Sequence, residues 1–339
     1  MKDVDLIEKF DKTKICEIYN SWPKIAKNTF ESDLEPIEVD EIDHIVFSGM
    51  GGSGALGDIF SAILSRTSIH VTVVKGYLLP KTVDKKTLVV ITSVSGNTQE
   101  TFSVLKEAKK MKGNIIAFSS GGLIKKFCIK NEIEYREIKQ YHSPRASFPS
   151  FLYGMLKILR PILPIKDSEI YESINELKKN SFKISSNNLN ENNSALELSK
   201  WISDIPMIYY PSGFQAAAIR FKNSMQENAK THAMAEDIIE ACHNGIVAWE
   251  KNLNVKPILI EGFDDHEKTK QRWKILKEFL RKEEIEYREI KSTQGNILSK
   301  IINLIYHLDY VSIYSAIFNK IDPSPVKSID FVKKRLKEL

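Results

Sequence analysis

Cysteine is scarce in this chain. Three cysteines, Cys16, Cys128 and Cys242, stand far apart among 339 residues. An odd, scattered set of this kind forms neither a disulfide framework nor the paired spacing of a zinc site. The sequence also lacks an HxxxH pattern and a cluster of carboxylates with metal-ligand spacing. We therefore expect no disulfide and no metal, and a reducing cytoplasm as the location.

Long apolar runs and basic stripes are missing as well. No run of about 18 apolar residues occurs, so no membrane-spanning segment is predicted. The first residues carry the acids Asp3 and Asp5 and lack the apolar centre of a signal peptide. The net charge is only +5, and the lysines are interleaved with glutamates. Neither a membrane nor a nucleic acid is therefore expected as a partner.

Short apolar runs that alternate with amphipathic stretches are present instead. Residues 1–40 show apolar residues at helical spacing. The predicted strands are 44–48, 70–75, 87–92, 114–119, 134–138, 205–210, 256–261 and 287–290. The predicted helices are 55–65, 98–111, 123–129, 214–225, 266–284, 296–317 and 325–339. Strands that alternate with helices indicate an α/β protein with doubly wound parallel sheets.

The alternation stops after the first half and then restarts. Residues 178–193 are rich in Ser, Asn and Lys, and the heptapeptide IEYREIK occurs at 133–139 and again at 285–291. Either coincidence between charged edge strands or duplication explains the repeat, and the restarted alternation favours duplication. The length also fits two domains. We predict domains at 1–160 and 195–339, joined by a helical connector at 161–194.

A glycine-rich turn, GMGGSG at residues 49–54, follows the first predicted strand. Its spacing fits a dinucleotide fingerprint, which also requires an acid at the end of the next strand. That strand ends in Lys75 and Gly76, and no Walker-type lysine follows the glycines. Both nucleotide interpretations are therefore disfavoured, and no cofactor is predicted. A tight turn without a ligand is the remaining alternative, although four glycines exceed what a turn needs.

A second polar turn, TSVSGNTQET at residues 92–101, follows the predicted strand 87–92 and opens the next helix. Short polar side chains crowd this turn: Ser93, Ser95, Asn97 and Thr98. A helix N-terminus offers unpaired N–H groups and partial positive charge, which suit a phosphate. Helix capping by Ser95 or Asn97 alone is the structural alternative. Because parallel strands share a carboxyl edge, the two turns should converge on one small phosphorylated ligand.

Together, GMGGSG and SVSGNTQET resemble the sugar isomerase (SIS) domain family, whose members bind phosphosugars. Three further stretches resemble the bifunctional phosphoglucose/phosphomannose isomerases: SPRASFPSFLYG at 143–154, QENAKTHAMAEDIIEACHNGIVAW at 226–249 and DPSPVKSIDFVKKRL at 322–336. The resemblance covers the whole chain. It implies two flavodoxin-like SIS domains with terminal helices. It also implies a homodimer that interconverts fructose 6-phosphate with glucose 6-phosphate and mannose 6-phosphate.

The same resemblance implies the site residues. Arg145 matches the arginine that stabilises an enediolate, Glu227 the base that shuttles the proton, and Lys333 the lysine near the ring oxygen. His243 matches the ring-opening histidine, which the family donates from the partner subunit of a homodimer. The substrate-binding positions that the resemblance implies are Gly51, Gly52 and Ser53 at the glycine turn, and Ser93, Ser95 and Thr98 for the phosphate.

These roles agree with the chemistry of aldose–ketose isomerisation. Removing a proton next to a carbonyl creates an enediolate, whose oxygens need positive partners. One carboxylate is enough as the base, and an imidazole titrates in the range that ring opening needs. With an arginine as the positive partner, no metal is required. Because C2 becomes planar in the enediolate, glucose 6-phosphate and mannose 6-phosphate share one intermediate.

Two departures from the family pattern matter. Cys242 replaces the first of two histidines that often precede the asparagine, which leaves His243 alone. A small hydroxylic residue, linked to acceptance of mannose 6-phosphate, is matched by Ser324 or Val326, depending on the register. We interpret His232, which matches no family position, as structural.

A non-catalytic phosphosugar-binding regulator on the same fold is the alternative function.

Overall fold

Two parallel sheets form the framework of the computed structural model, which describes residues 3–39, 41–111, 113–251 and 254–338. The first sheet contains β1 (His44–Ser48), β2 (His70–Val74), β3 (Thr87–Ser93), β4 (Asn114–Ser119) and β5 (Glu134–Glu137), in the order β2-β1-β3-β4-β5. The second contains β6 (Ile205–Tyr210), β7 (Met234–Asp237), β8 (Val255–Glu261) and β9 (Arg288–Lys291), in the order β7-β6-β8-β9. All pairs are parallel, so the predicted α/β class with flavodoxin-like strand order is confirmed.

Helices cover the sheets and connect them. The first half contains α1 (Asp3–Phe10), α2 (Ile15–Asn20), α3 (Trp22–Phe30), α4 (Gly52–Leu64), α5 (Gln99–Ala108) and α6 (Gly122–Lys130). The connection is α7 (Phe148–Ile158), α8 (Asp167–Ile184) and α9 (Ser194–Trp201). The second half contains α10 (Gln215–Ser224), α11 (Ile238–Ala241), α12 (Glu267–Lys282), α13 (Ile297–Phe318) and α14 (Lys327–Glu338). Met1 and Leu339, the outer limits of the predicted domains, lie outside the described residues.

The apolar helix α13 occupies the centre of the fold. It packs against α4, α8, α9 and α10. Its length and composition would suit a membrane span, but 89% of its apolar window is buried inside the protein. One apolar cluster, which includes Trp22, Phe60, Phe151 and Ile302, joins both halves. Because α4 also packs on α10, the glycine turn that begins α4 lies against the second half of the chain.

Four elements, β7, α7, α9 and α11, are absent from the sequence prediction, and two of them, β7 and α7, lie next to the site. The strand β7 (MAED) is a four-residue edge strand that carries two acids, so it shows no apolar run. The helix α7 (FPSFLYGMLKI) is buried on nearly every side, so its sequence shows no polar face and no clear helical period. The carboxyl end of β7 and the start of α7 both adjoin segments that carry predicted site residues.

The repeated heptapeptide occupies strands that are not equivalent. The first copy contains β5, the fifth strand of its sheet, and the second contains β9, which corresponds by order to β4. The paired residues also differ, because β5 is EYRE and β9 is REIK. The two halves share the strand order 2-1-3-4, but the interpretation of IEYREIK as a marker of duplication is wrong. The heptapeptide reflects the charged composition of edge strands.

Candidate active site

Glu227 lies in a π-helical turn at the end of α10. The turn spans Met225–Ala229, and Lys230 ends it with a φ of 57°. Such turns are rare and often occur at functional sites, because the additional residue redirects the neighbouring side chains. Asn228 anchors the turn in the core by donating to the Ser312 hydroxyl at 2.8 Å. The Glu227 side chain is 30% exposed and faces a cleft.

Arg145, from the segment before α7, meets this carboxylate. Its Nη1 donates to Oε2 of Glu227 at 3.5 Å, which is long for a charge-assisted bond and leaves both groups able to engage a ligand. Its Nη2 donates to the carbonyls of Pro323 and Ser324 at 2.8 and 2.9 Å. Its Nε is buried and has no partner among the described residues. A carboxylate and a guanidinium therefore lie side by side in the cleft.

The glycine turn uses two of its four glycines for close packing. A Cβ on Gly49 would lie 2.9 Å from the backbone of Ser53, and one on Gly54 would lie 2.9 Å from the carbonyl oxygen of Gly49. Ser53 is buried at the start of α4, where its N–H donates to the carbonyl of Met50. The sharp path of the turn thus accounts for Gly49 and Gly54.

The other two glycines open the turn toward the carboxylate–guanidinium pair. Gly51 has a φ of +54° and lines the cleft beside Glu227. A Cβ on Gly52 would lie 3.6 Å from Nη1 of Arg220 and 4.0 Å from Cα of Arg145. Both glycines also line a narrower cavity that contains Arg145, Arg220 and Glu227. The first half of the chain therefore forms one wall of the site, and α10 forms the other.

The polar turn after β3 leaves the strand next to β1. The hydroxyl oxygens of Ser93 and Thr98 are 2.9 Å apart, and Ser95 Oγ accepts the N–H of Asn97. Thr98 is the N-cap residue of α5, and no side chain among the described residues caps that helix end. Asn97 instead accepts the N–H of Leu123 in α6. The capping alternative is therefore not observed, and the first N–H groups of α5 remain open to an anion.

Gly96, within the same turn, supports a direct prediction. Its φ is +67°, and a Cβ would lie 1.8 Å from the carbonyl oxygen of Gly121. Gly96→Ala is therefore expected to lower the free energy of unfolding by about 2–4 kcal/mol and to weaken phosphate binding. Urea denaturation and titration with inorganic phosphate measure both effects. Gly76→Ala is the matched control, because a Cβ there meets open space; equal stability of the two variants would contradict the prediction.

The corresponding turn of the second half is acidic. The strand β8 corresponds by order to β3, and Asp264 and Asp265 follow it. Asp265 accepts the N–H of Gly262 and the indole N–H of Trp273, and Asp264 pairs with Lys300. Carboxylates at this position repel a phosphate. The turns of the first half are thus the ones suited to a phosphorylated ligand.

The cleft over Glu227 has a volume of about 830 Å³, which is within the range of small-molecule sites. Residues 226, 227 and 230–232 form one of its walls, and residues 321, 322 and 325–329 form another. Lys230 ties these walls together, because its Nζ donates to the carbonyls of Glu227 and Pro325 at 2.6 and 2.8 Å. Burial, followed by the charge of Arg145, lowers the pKa of Lys230 from its ordinary value.

Residues before and within α14 continue the wall. Lys333 is exposed and lies one helical turn beyond Ile329, which lines the cleft. Residues four apart share a helix face, so Lys333 stands on the same side of α14 as Ile329. Val326 lines the cleft, whereas the Ser324 hydroxyl bonds to that of Thr13 at 2.5 Å.

Two histidines occupy different places relative to the cleft. His243 is exposed, two residues after α11, and lies outside the set of residues that line the cleft. His232 is also exposed but lines the cleft together with Glu227. It therefore lies in the wall of the cleft, a place that its interpretation as a structural residue did not predict. The short spacing between Glu227 and His232 in the sequence is the feature that could have indicated that both lie at the cleft.

Arg220 is the second residue at the site that the sequence reading missed. Only 3% of it is exposed, and it lies beside the glycine turn. Ala217, Arg220, Phe221 and Ser224 are all buried and recur at helical spacing on α10. An arginine at a position where the helical period predicts an apolar residue could have identified it. Such an arginine must be buried, and arginines are almost never fully buried without a partner.

Family models and known proteins resemble this chain over most of its length. A family model described as SIS domain matches residues 39–123, and one described as bacterial phospho-glucose isomerase C-terminal SIS domain matches residues 191–336. The bifunctional phosphoglucose/phosphomannose isomerase of Caldicellulosiruptor bescii is 32% identical, with 89% of this chain and 92% of that protein covered. The protein of that name from Aquifex aeolicus is 30% identical, with 96% and 98% covered. A crystal structure of a hypothetical protein from Thermus thermophilus shares the fold, with a TM-score of 0.72 at 13% identity over 99% of this chain and 93% of that one.

Proposed function

Since the chain belongs to the bifunctional phosphoglucose/phosphomannose isomerase family and is a phosphosugar isomerase, we propose that it interconverts fructose 6-phosphate with both glucose 6-phosphate and mannose 6-phosphate. The reaction proceeds through a cis-enediolate. The observation that carries this proposal is the 3.5 Å approach of Arg145 Nη1 to Glu227 Oε2 beside the open glycines of the first half. A base and a cation this close together can both reach two adjacent carbon atoms of a sugar in the cleft.

In this mechanism Glu227 removes the proton from C1 or C2 and returns it to the other carbon. Nη1 of Arg145 donates a hydrogen bond to O1 or O2 as negative charge develops on these oxygens. Its Nη2 is occupied by two backbone carbonyls, whereas Nε has no partner among the described residues and Nη1 makes only the long contact with Glu227. Preorganised donors of this kind stabilise the transition state more than the ground state.

The phosphate is held by the turn that contains Ser93, Ser95 and Thr98, with Ser53, Gly51 and Gly52 along the sugar. The hydroxyls and the uncapped N-terminus of α5 supply the donors. On this view residues 1–160 bind the phosphosugar, 161–194 connect, and 195–339 supply the base. Lys333 acts near the ring oxygen. The reaction needs no cofactor, and we propose the cytoplasm as its location.

His243 opens the ring from the partner subunit of a homodimer. Its exposed position outside the cleft of its own chain supports this assignment. Subunits of Glu227→Gln and His243→Ala, each inactive as a homodimer, should regain about a quarter of the wild-type activity after random exchange. Half of the dimers are then mixed, and each mixed dimer holds one intact site. Turnover during urea-assisted exchange measures this. A mixture that stays inactive while exchange is complete would contradict donation across the interface.

A coupled assay tests the overall proposal. Purified protein with fructose 6-phosphate and EDTA should form glucose 6-phosphate and mannose 6-phosphate, each followed by its own coupling enzyme. Glucose 6-phosphate alone would restrict the specificity and direct attention to Ser324 and Val326. Binding of fructose 6-phosphate without turnover of either sugar would favour the alternative function, a phosphosugar-binding regulator.

A further inference from the structure

Arg220 is held by a buried carboxylate on the central helix. Its Nε and Nη2 donate to Oδ2 of Asp309 at 3.2 and 2.6 Å. Asp309 is fully buried in α13 and also accepts the hydroxyls of Tyr19 and Ser224 at 2.9 and 2.8 Å. One edge of the Arg220 guanidinium is therefore fixed by charge-assisted hydrogen bonds to Asp309, which is itself held in place by two hydroxyls.

The same guanidinium fixes the backbone that carries Arg145. Nη2 of Arg220 donates to the carbonyl oxygen of Arg145 at 3.0 Å. The guanidinium carbon lies 3.9 Å from the ring centroid of Phe148, the first residue of α7. Trp22 donates its indole N–H to the adjacent carbonyl of Ala146 at 3.1 Å. These two hydrogen bonds and the stacking on Phe148 thus fix the backbone of the segment from which the Arg145 side chain extends.

The remaining nitrogen of Arg220 faces the site. Nη1 makes no hydrogen bond to the described residues and lies 3.6 Å from where a Cβ on Gly52 would stand. The narrow cavity there is shared with Arg145 and Glu227. Although burial alone would lower it, the carboxylate of Asp309, and more weakly that of Glu227, raises the pKa of Arg220 above its ordinary value.

We propose that Arg220 is a positioning residue for the isomerisation. It sets the place of Arg145 through the backbone carbonyl and keeps a second positive charge beneath the enediolate. This inference rests on the proposed function. A purely structural role for the Arg220–Asp309 pair would instead change stability and leave the chemistry unchanged. Buried ion pairs are often replaceable without loss of stability, so the pair is weakly explained by folding alone.

The test is Arg220→Lys. A lysine keeps the charge but cannot donate to Asp309 and to the Arg145 carbonyl in one rigid plane while presenting a further nitrogen to the cavity. We expect kcat for fructose 6-phosphate to fall by about 10²-fold while KM changes by less than about threefold. Affinity for 5-phosphoarabinonate, whose carboxylate mimics the enediolate, should fall in parallel with kcat/KM. Affinity for inorganic phosphate should stay unchanged.

Tyr19→Phe is the matched control. It removes one hydrogen bond to the same Asp309, at a cost of about 1 kcal/mol in stability, and leaves the hydrogen bonds of Arg220 and the lining of the cavity intact. Its kcat should remain near that of the wild type. If Arg220→Lys does not fold, Arg220→Met combined with Asp309→Asn removes both charges. The amide still has a hydrogen-bonding atom for each hydroxyl, because its oxygen accepts from one of Tyr19 and Ser224 and its NH2 donates to the other. We expect this double variant to fold and to show the same loss of kcat.

A folded Arg220 variant with kcat/KM within about threefold of the wild type, or with a loss no larger than that of Tyr19→Phe, would overturn the inference. If the wild type turns over substrate and the Arg220 variant behaves in this way, only the role of Arg220 is rejected and the proposed function stands. Absence of wild-type turnover would reject the proposed function, and the inference with it.

Discussion

Glu227→Gln is expected to reduce kcat for fructose 6-phosphate by about 10³-fold, because an amide of the same shape cannot accept the proton from C1. The KM should change little, since the proposed phosphate-binding groups do not include Glu227. They are the polar turn at residues 92–101 and the open glycines, which lie in the other half of the chain. A coupled assay gives kcat, and titration of the variant with fructose 6-phosphate gives the binding constant. Retained binding with lost turnover would identify Glu227 as the base.

Two companion variants sharpen this result. Glu227→Asp keeps the carboxylate but moves it away from the substrate, because the aspartate side chain is shorter. Its activity should lie between that of the wild type and that of Glu227→Gln. Glu278→Gln, on the exposed face of α12, removes an equal charge away from the cleft and should have normal kcat. Near-normal turnover by Glu227→Gln would exclude Glu227 as the base.

Arg145→Met is expected to lower kcat by about 10²–10³-fold, because the enediolate would lose its main positive partner. Affinity for 5-phosphoarabinonate should fall by a similar factor, and affinity for inorganic phosphate should not. These two measurements separate stabilisation of the enediolate from general binding.

Arg145 also anchors the segment before α14, so a second variant is needed. Lys230→Met loosens the same segment, since Lys230 donates to the carbonyls of Pro323 and Pro325 at 3.4 and 2.8 Å. If anchoring were the whole role of Arg145, both variants would lose activity equally. We expect Lys230→Met to lose far less kcat than Arg145→Met, and equal losses would contradict the assigned role.

Eight of the nine described strands and the two turns were accessible from the sequence because their signals are local. The apolar runs of β1 and β3 are continuous, since both strands are buried on both faces. The two polar turns follow these strands directly. Their convergence then follows from the shared edge of parallel strands, and the register of Ser48 with Ile91 agrees with it.

The meeting of Glu227 with Arg145 was accessible only through family resemblance. The two residues are 82 positions apart, and their contact depends on the packing of α4 against α10 and on the π-helical turn. The helical period does not reveal this π-turn, because the turn ends α10 and a strand, not a helix, is the next element. The role of Asp309 in holding Arg220 is likewise hidden, since α13 is apolar and almost wholly buried.

The most direct test of the account is isomerisation of fructose 6-phosphate in D₂O, followed by NMR at C2 of the products. A proton held on Glu227 exchanges partly with solvent before it returns to the sugar. We therefore expect glucose 6-phosphate and mannose 6-phosphate to carry deuterium at C2 in a fraction of the molecules. Products wholly without deuterium would indicate hydride transfer, and absence of both products would contradict the isomerase mechanism itself.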